Sequence, residues 1–373
     1  MKATFPHMGR MDIFIKGIVK ALGMEAVVPP TSSKKALNLG VKYAPEFVCL
    51  PFKLMLGNLI EAFERGADTV IMVSDRGPCR LGLYGLPMQI ILKNLGYEAN
   101  WLILNTPHAL HGLFQLGIEK EVVKYRDKLT FVDGLLAFHF GWKKMLAIEE
   151  IERLSLKIRP YEINKGDTTK GLYQGMEAIE SADNLYDLKK AKDAVIKDLR
   201  SIPQDRNRRP LKIAIAGEIF VVLDSFANLD IEKKLGELGC EVDRTIWFST
   251  HILHHVGLDK FMRRSKGKAV RAARPYLKHP VGAECNATVG YAILYAEEGY
   301  DGFIHLMPFT CMPEFVAGAV LTRVSKDYNI PIFTVELEEH SSQTHLMTRL
   351  EAFVDLLKRK RQKRQGLEGS RGD

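Results

Sequence analysis

A chain of 373 residues, 46% hydrophobic and 26% charged, has the make-up of a folded, multi-domain protein, which excludes a disordered or fibrous chain and predicts two or three domains. No apolar run reaches about 18 residues, and the start, MKATFPHMGRMD, lacks the basic, apolar and small-residue regions of a signal peptide, which predicts a cytoplasmic location without a membrane span. Of the formal charge of +8, the tail from Lys358 to Asp373 supplies +5 and has no aromatic residue to stack on bases, so it reads as a solvated, frayed helix end and not a nucleic-acid arm.

From the start, short apolar runs alternate with amphipathic ones, the pattern of parallel strands joined by helices. Strands are predicted at Lys2–Phe5, Glu25–Val28, Thr69–Val73 and Asn100–Leu104. Helices are predicted at Asp12–Leu22, Pro51–Arg65 and Leu86–Leu95, the last two stopped by Gly66 and Gly96. Between about 110 and 205 the strands disappear, and runs such as WKKMLAIEEIERLSLKI predict an all-helical part ended by the polar linker PQDRNRRP. Alternation then returns, with strands predicted at Lys212–Ala216, Glu241–Trp247, Gly302–Leu306 and Pro331–Val335. Helices are predicted at Ile231–Leu238, Ala287–Glu298, Glu314–Asp327 and about Thr344 to Arg361. The fold class is therefore α/β: lobes at 1–108 and 210–343, a helical middle region at 109–209, and a terminal helix with its basic tail at 344–373.

Five cysteines, at 49, 79, 240, 285 and 311, are odd in number and form no CxxC pair, which disfavours a disulfide framework, a thioredoxin-like site and a zinc ribbon. No GxxxxGK[ST] loop follows a strand and no GxGxxG follows the first, so no nucleotide site is predicted within the chain. In open parallel sheets chemistry collects at the carboxyl ends of strands, where loops lead into helices. Cys49, Cys79, Cys285 and Cys311 all sit at such places, with Pro51 and Pro313 fitting the first turn of their helices. A helix N-terminus lowers a thiol's pKa and favours the thiolate, the form that binds soft metals and iron-sulfur clusters. The competing reading is packing, since free cysteine is a small hydrophobe; it is the expected role of Cys240, after the helix-stopping Gly239. HILHH, with His251, His254 and His255, lacks a carboxylate to complete an HExxH site and reads as surface or interdomain.

YDGFIHLMPFTCMPEFVAGAV followed by ELEEHSSQTHLMTRLEAFVDLL resembles the C-terminal region of the 2-hydroxyacyl-CoA dehydratase and benzoyl-CoA reductase superfamily. CLPFKLMLGNLIEAFERGAD resembles that group's first cysteine segment, and IAGEIFVVLDSFANLDIEKKLGELGCEVDRTIW the opening of its second α/β domain. The similarity is greatest to the short stand-alone relatives and to the segment fused behind some activator ATPases. It implies two flavodoxin-like parallel-sheet lobes and a 4Fe-4S cluster between them, or an 8Fe-9S double-cubane assembly as in some relatives. Cys49, Cys79 and Cys311 are the implied metal ligands, with Cys285 a fourth candidate.

The resemblance also implies a separate ATP-dependent activator as electron donor and pairing with an identical or sister subunit. The activity implied is that of a lyase or reductase component acting on a small substrate, an acyl-CoA among the candidates. Residues of the same sheet edges supply further candidates: Glu314, Ser74 and His7 for catalysis, the last as proton donor, and Asp75, Arg76 and Glu218 for substrate binding. For each of these except His7 the alternative is a helix cap or an interlobe salt bridge. Two other functions stay open. One is a non-catalytic, cluster-bearing electron-transfer or scaffold subunit; the other is a metal-free, two-lobed ligand-binding protein whose cysteines only pack.

Overall fold

The computed structural model of the chain describes residues 1–21, 23–74, 79–105, 131–255 and 264–369. All eight predicted strands form, with ends shifted by one to three residues. The first sheet holds β1 (Lys2–Thr4), β2 (Glu25–Ala26), β3 (Thr69–Ser74) and β4 (Asn100–Asn105), all parallel, in the order β2-β1-β3-β4. Its helices are α1 (Met11–Ala21), α2 (Lys34–Tyr43), α3 (Leu50–Glu64) and α4 (Gly85–Asn94). Next come α5 (Phe131–Ile158), α6 (Asp167–Glu180) and α7 (Leu185–Ser201).

The second sheet repeats the first: β5 (Leu211–Gly217), β6 (Cys240–Arg244), β7 (Gly302–Pro308) and β8 (Ile332–Leu337) pair in parallel in the order β6-β5-β7-β8. Its helices are α8 (Ile219–Leu223), α9 (Ile231–Glu237), α10 (Phe248–His255), α11 (Lys266–Ala272), α12 (Cys285–Glu297), α13 (Met312–Asp327) and α14 (Gln343–Gly369). The chain is thus mixed α/β, with two flavodoxin-like parallel-sheet lobes. In each sheet the strand order reverses beside the first strand, which puts a crevice between the carboxyl ends of β1 and β3, and another between those of β5 and β7.

α3 explains how the lobes meet. Every residue from Leu50 to Phe63 is buried, the property of a helix enclosed on all sides. Its Leu54, Leu56 and Leu59 belong to one continuous core with Val70 of β3, Ile213 of β5 and Leu306 of β7. The polar residues of α3 are partnered: Lys53 with Glu339 of the second lobe, Asn58 with the Pro30 carbonyl at 3.0 Å, and Glu61 with Lys35 at 3.1 Å. The sequence pattern does not predict α2, whose buried face is only Ala36, Leu37 and Gly40; backbone contact with α3 holds it.

α5 ties the helical part to both lobes, packing on α1 on one side and β6 on the other. Arg153 of α5 and Arg244 of β6 lie 3.7 and 3.8 Å from the centre of the Trp247 ring, a double cation–π contact. Glu149 accepts from the Ser249 amide at 2.8 Å and from its hydroxyl, capping α10. Burial pushes the Glu149 carboxyl above its ordinary 4.5, against the hydrogen bonds from Ser249 and the pull of Arg153. The folded chain therefore holds this proton more tightly than the unfolded one, and the group's contribution to stability falls as pH rises from about 4.5 through the raised pKa. Urea unfolding of Glu149→Gln should show the variant gaining on the wild type between pH 4.5 and neutrality; a difference that does not change with pH would contradict this.

The basic tail departs from the frayed end expected. α14 runs to Gly369, Arg361 donates to Asp301 and to the carbonyls of Arg209 and Pro210, and Lys360 reaches Asn329. Part of the charge run is therefore docking. Among the described residues no helix is long and apolar enough to cross a membrane.

Candidate functional site

Three of the loops that precede helices converge between the lobes. Cys49 is the N-cap residue of α3, Cys79 of a short 3-10 helix at Arg80–Leu83, and Cys311 of α13. All three line one cavity of about 410 Å³, together with Tyr84, Arg80 and the buried Glu218. That space equals about a dozen water volumes, ample for a polyatomic group. Phe47 and Met312 line it too while remaining exposed, and the neighbouring Phe309 and Phe315 are also exposed, so the rim is apolar.

Local rules place each sulfur. Pro51 and Pro313 sit in the first turn of α3 and α13, where a missing N–H costs nothing, and they fix the chain just after each thiol. Thr310 adopts a left-handed conformation, φ 65°, unfavourable for a β-branched residue, so the turn that aims Cys311 is strained. Arg80 holds it: its guanidinium donates to the Thr310 carbonyl, to the Thr310 hydroxyl at 3.2 Å and to the Phe47 carbonyl at 3.4 Å. One side chain beside Cys79 thus clamps the loops of Cys49 and Cys311. Glu218 follows Gly217, where φ is 146° and a Cβ would come within 1.9 Å of the Leu306 carbonyl oxygen. Only glycine lets β5 end that close to β7. The Glu218 carboxylate caps α8 by accepting from the Val221 amide at 3.1 Å.

The electrostatics correct one expectation. Helix N-termini predict lowered thiol pKa values, yet all three thiols are shifted upward, Cys79 to about 11. Burial is the largest cause for each, and Glu218 adds to it; the amides of Phe52, Leu81 and Glu314 favour the thiolate but are outweighed. The hydroxyl of Tyr84 hydrogen-bonds Cys49. Burial likewise pushes Glu218 up to about 7, with Glu314 and Glu284 contributing. In such a site a soft metal must itself displace the thiol protons, so affinity depends on pH.

The other predicted residues lie elsewhere. Cys285 opens α12 but is fully buried in the core of the second lobe with Ala317 and Leu321, and does not line the cavity; Cys240 is also a core thiol, at the start of β6. Glu314 points inward from α13, wholly buried, and bonds His305 of β7 at 2.9 Å, a pair the sequence does not reveal. His7 follows β1 but lines a different cavity. Ser74 closes β3 with its side chain outside the described residues, as are Asp75 and Arg76. Arg80 and Tyr84 escape sequence reasoning; the one available signal is their place in CRLGLY, next to a candidate ligand.

The donor set of the cavity is a soft one. It consists of three thiols and one carboxyl without histidine, and soft thiolates select zinc, copper(I) or iron-sulfur clusters. Among the described residues no three His, Cys, Asp or Glu side chains stand close enough to hold a single metal ion. No family model matches the chain, and no curated protein matches it.

Proposed function

We propose that the chain holds a 4Fe-4S cluster in this cavity through Cys49, Cys79 and Cys311. We infer that it serves as the cluster-bearing component of a 2-hydroxyacyl-CoA dehydratase-like lyase or reductase, taking low-potential electrons from a separate ATP-dependent activator. The observation that carries the reading is the convergence of three thiols, from loops far apart in sequence, on one cavity between two parallel-sheet lobes. When bound, such a cluster supplies one-electron transfer at low potential.

The chain's own residues do the rest. α3 and the strained Thr310 turn fix the positions of two sulfurs. Glu218, balanced near neutral pH, can hold or release a proton at its second carboxyl oxygen, beside the place where a substrate would stand. The exposed apolar rim is the surface on which a protein electron donor would dock. A small substrate, an acyl-CoA in the dehydratase version, and pairing with an identical or sister chain belong to the same reading.

Anaerobic reconstitution with iron and sulfide tests it: a broad visible absorption should develop and bleach with dithionite. A colourless protein would refute the reading. The Arg80 clamp gives a sharper outcome. Its three hydrogen bonds tie two ligand loops, and charge-assisted bonds are worth about 1.5–3 kcal/mol. Arg80→Ala should therefore release iron to a chelator at least about tenfold faster, and Arg80→Lys should rescue little, lacking the planar fork. Unchanged release would remove Arg80 from the site.

A further inference from the structure

A second cavity, of about 290 Å³, lies where the two lobes and the helical part meet, and it shares no lining residue with the thiol cavity. Its walls come from the loop after β1, from α5 and α6, and from the segment that follows α8. Most of its charges are answered locally. Arg244 pairs with Glu152 at 2.6 Å and Glu232 at 3.5 Å, and Arg10 with Glu180 at 3.1 Å. Asp224 accepts from the Ser32 hydroxyl at 2.7 Å and the Ala227 amide at 2.9 Å.

Arg159 is the exception. It is 5% exposed, lines the cavity, and among the described residues its guanidinium makes no hydrogen bond and no ion pair. Its stem is threaded deliberately close to α9: a Cβ at Gly236 would stand 2.6 Å from the Arg159 Cδ, so a glycine is required for the side chain to reach this position. Glu232, Glu162 and Glu237 offset its charge through space, but none bonds it, so its buried donors go unused, an unfavourable arrangement in a folded protein. His7 adds a second unanswered group to the same cavity: it is 4% exposed and its ring makes no hydrogen bond among the described residues. Two polar side chains, each more than nine-tenths buried and each with an unused hydrogen-bonding atom, therefore line one cavity.

We propose that this cavity binds a small oxyanion, a carboxylate or a phosphate, held by the fork of Arg159 with His7 as a second partner. A planar guanidinium matches two oxygens of either group at once; the lining holds four cations, Arg10, Arg159, Lys233 and Arg244, and four carboxylates, Glu152, Asp224, Asp230 and Glu232, so the anion would be held by the unused donors and not by net charge.

Thermal unfolding and titration calorimetry of the full-length chain test this, with inorganic phosphate and malonate each compared with sodium chloride at equal ionic strength. The expected result is a saturable rise in melting temperature with at least one of the two anions and none with chloride; a rise with phosphate alone assigns the site to phosphates, and with malonate alone to carboxylates. Arg159→Met should weaken binding about ten- to a hundredfold, the loss of a charge-assisted pair of hydrogen bonds. Arg159→Lys and His7→Gln, which keep charge or size, should bind more weakly than the wild type and guard against a misfolded methionine variant. No saturable rise with either anion, or the same rise in wild type and Arg159 variants, would overturn the proposal. The readouts do not involve iron, so this failure would leave the cluster reading standing.

Discussion

Replacing Cys311 with serine should strip the chain of most of its iron, and so should Cys49→Ser and Cys79→Ser. Cys240→Ala and Cys285→Ala should leave iron content unchanged. The contrast comes from geometry: the first three sulfurs line one cavity, whereas Cys240 and Cys285 are fully enclosed by core residues. The two core substitutions cost only packing, a modest loss of stability. Iron and the visible spectrum of the five variants, purified without oxygen, decide the matter. An equal loss in all five would show that the cysteines act through folding alone, and iron loss in Cys285→Ala would place that thiol among the ligands.

Gly57→Ala should be among the most damaging single substitutions outside the cavity. A Cβ at Gly57 would lie 1.8 Å from the Ala36 carbonyl oxygen, and one at Gly40 would lie 1.7 Å from the Lys53 carbonyl oxygen. α2 and α3 thus touch backbone to backbone in both directions, and a methyl group at either site must force them apart. The expected loss is about 3 kcal/mol or more, at the upper end for overpacking because the obstacle is backbone. Gly66→Ala is the matched control: nothing lies within 4 Å of its Cβ, so only its positive φ, 87°, opposes the change, at a cost of about 1 kcal/mol. Because α3 carries Cys49 at its N-cap, Gly57→Ala should also lower iron content; urea midpoints and iron are measured on the same samples. Equal stability of the two alanine variants would contradict the close approach.

Much of the fold is legible in the sequence because its forces are local. β7, buried along its whole length, reads as an apolar run broken only by His305, and β3 begins soon after Gly66, a visible helix stop. α3 is legible as a helix, whereas its burial on every side, Lys53, Asn58 and Glu61 included, is set by the docking of the layers. The candidate site is legible only in part. Cys49 and Cys285 both stand at the start of a buried helix, and nothing local distinguishes the start that faces the cleft from the one that faces the core of its own lobe. Arg80 reaches Thr310 across 230 positions, and Arg159 and His7, far apart in sequence, line one cavity. Such pairings are set by how the lobes dock, which spacing and periodicity do not encode.

The thiol pKa values show the same limit from another side. A helix N-terminus is visible in sequence and argues for a thiolate, but burial is a tertiary property, and at Cys49, Cys79 and Cys311 it prevails.

Iron and acid-labile sulfide per chain, measured on protein purified without oxygen, test the central claim most directly. The account predicts about four of each. About eight irons would keep the cysteine assignment and move the cluster to the double-cubane type. No iron, even after anaerobic reconstitution, would contradict the account and leave the three converging cysteines as packing between two lobes.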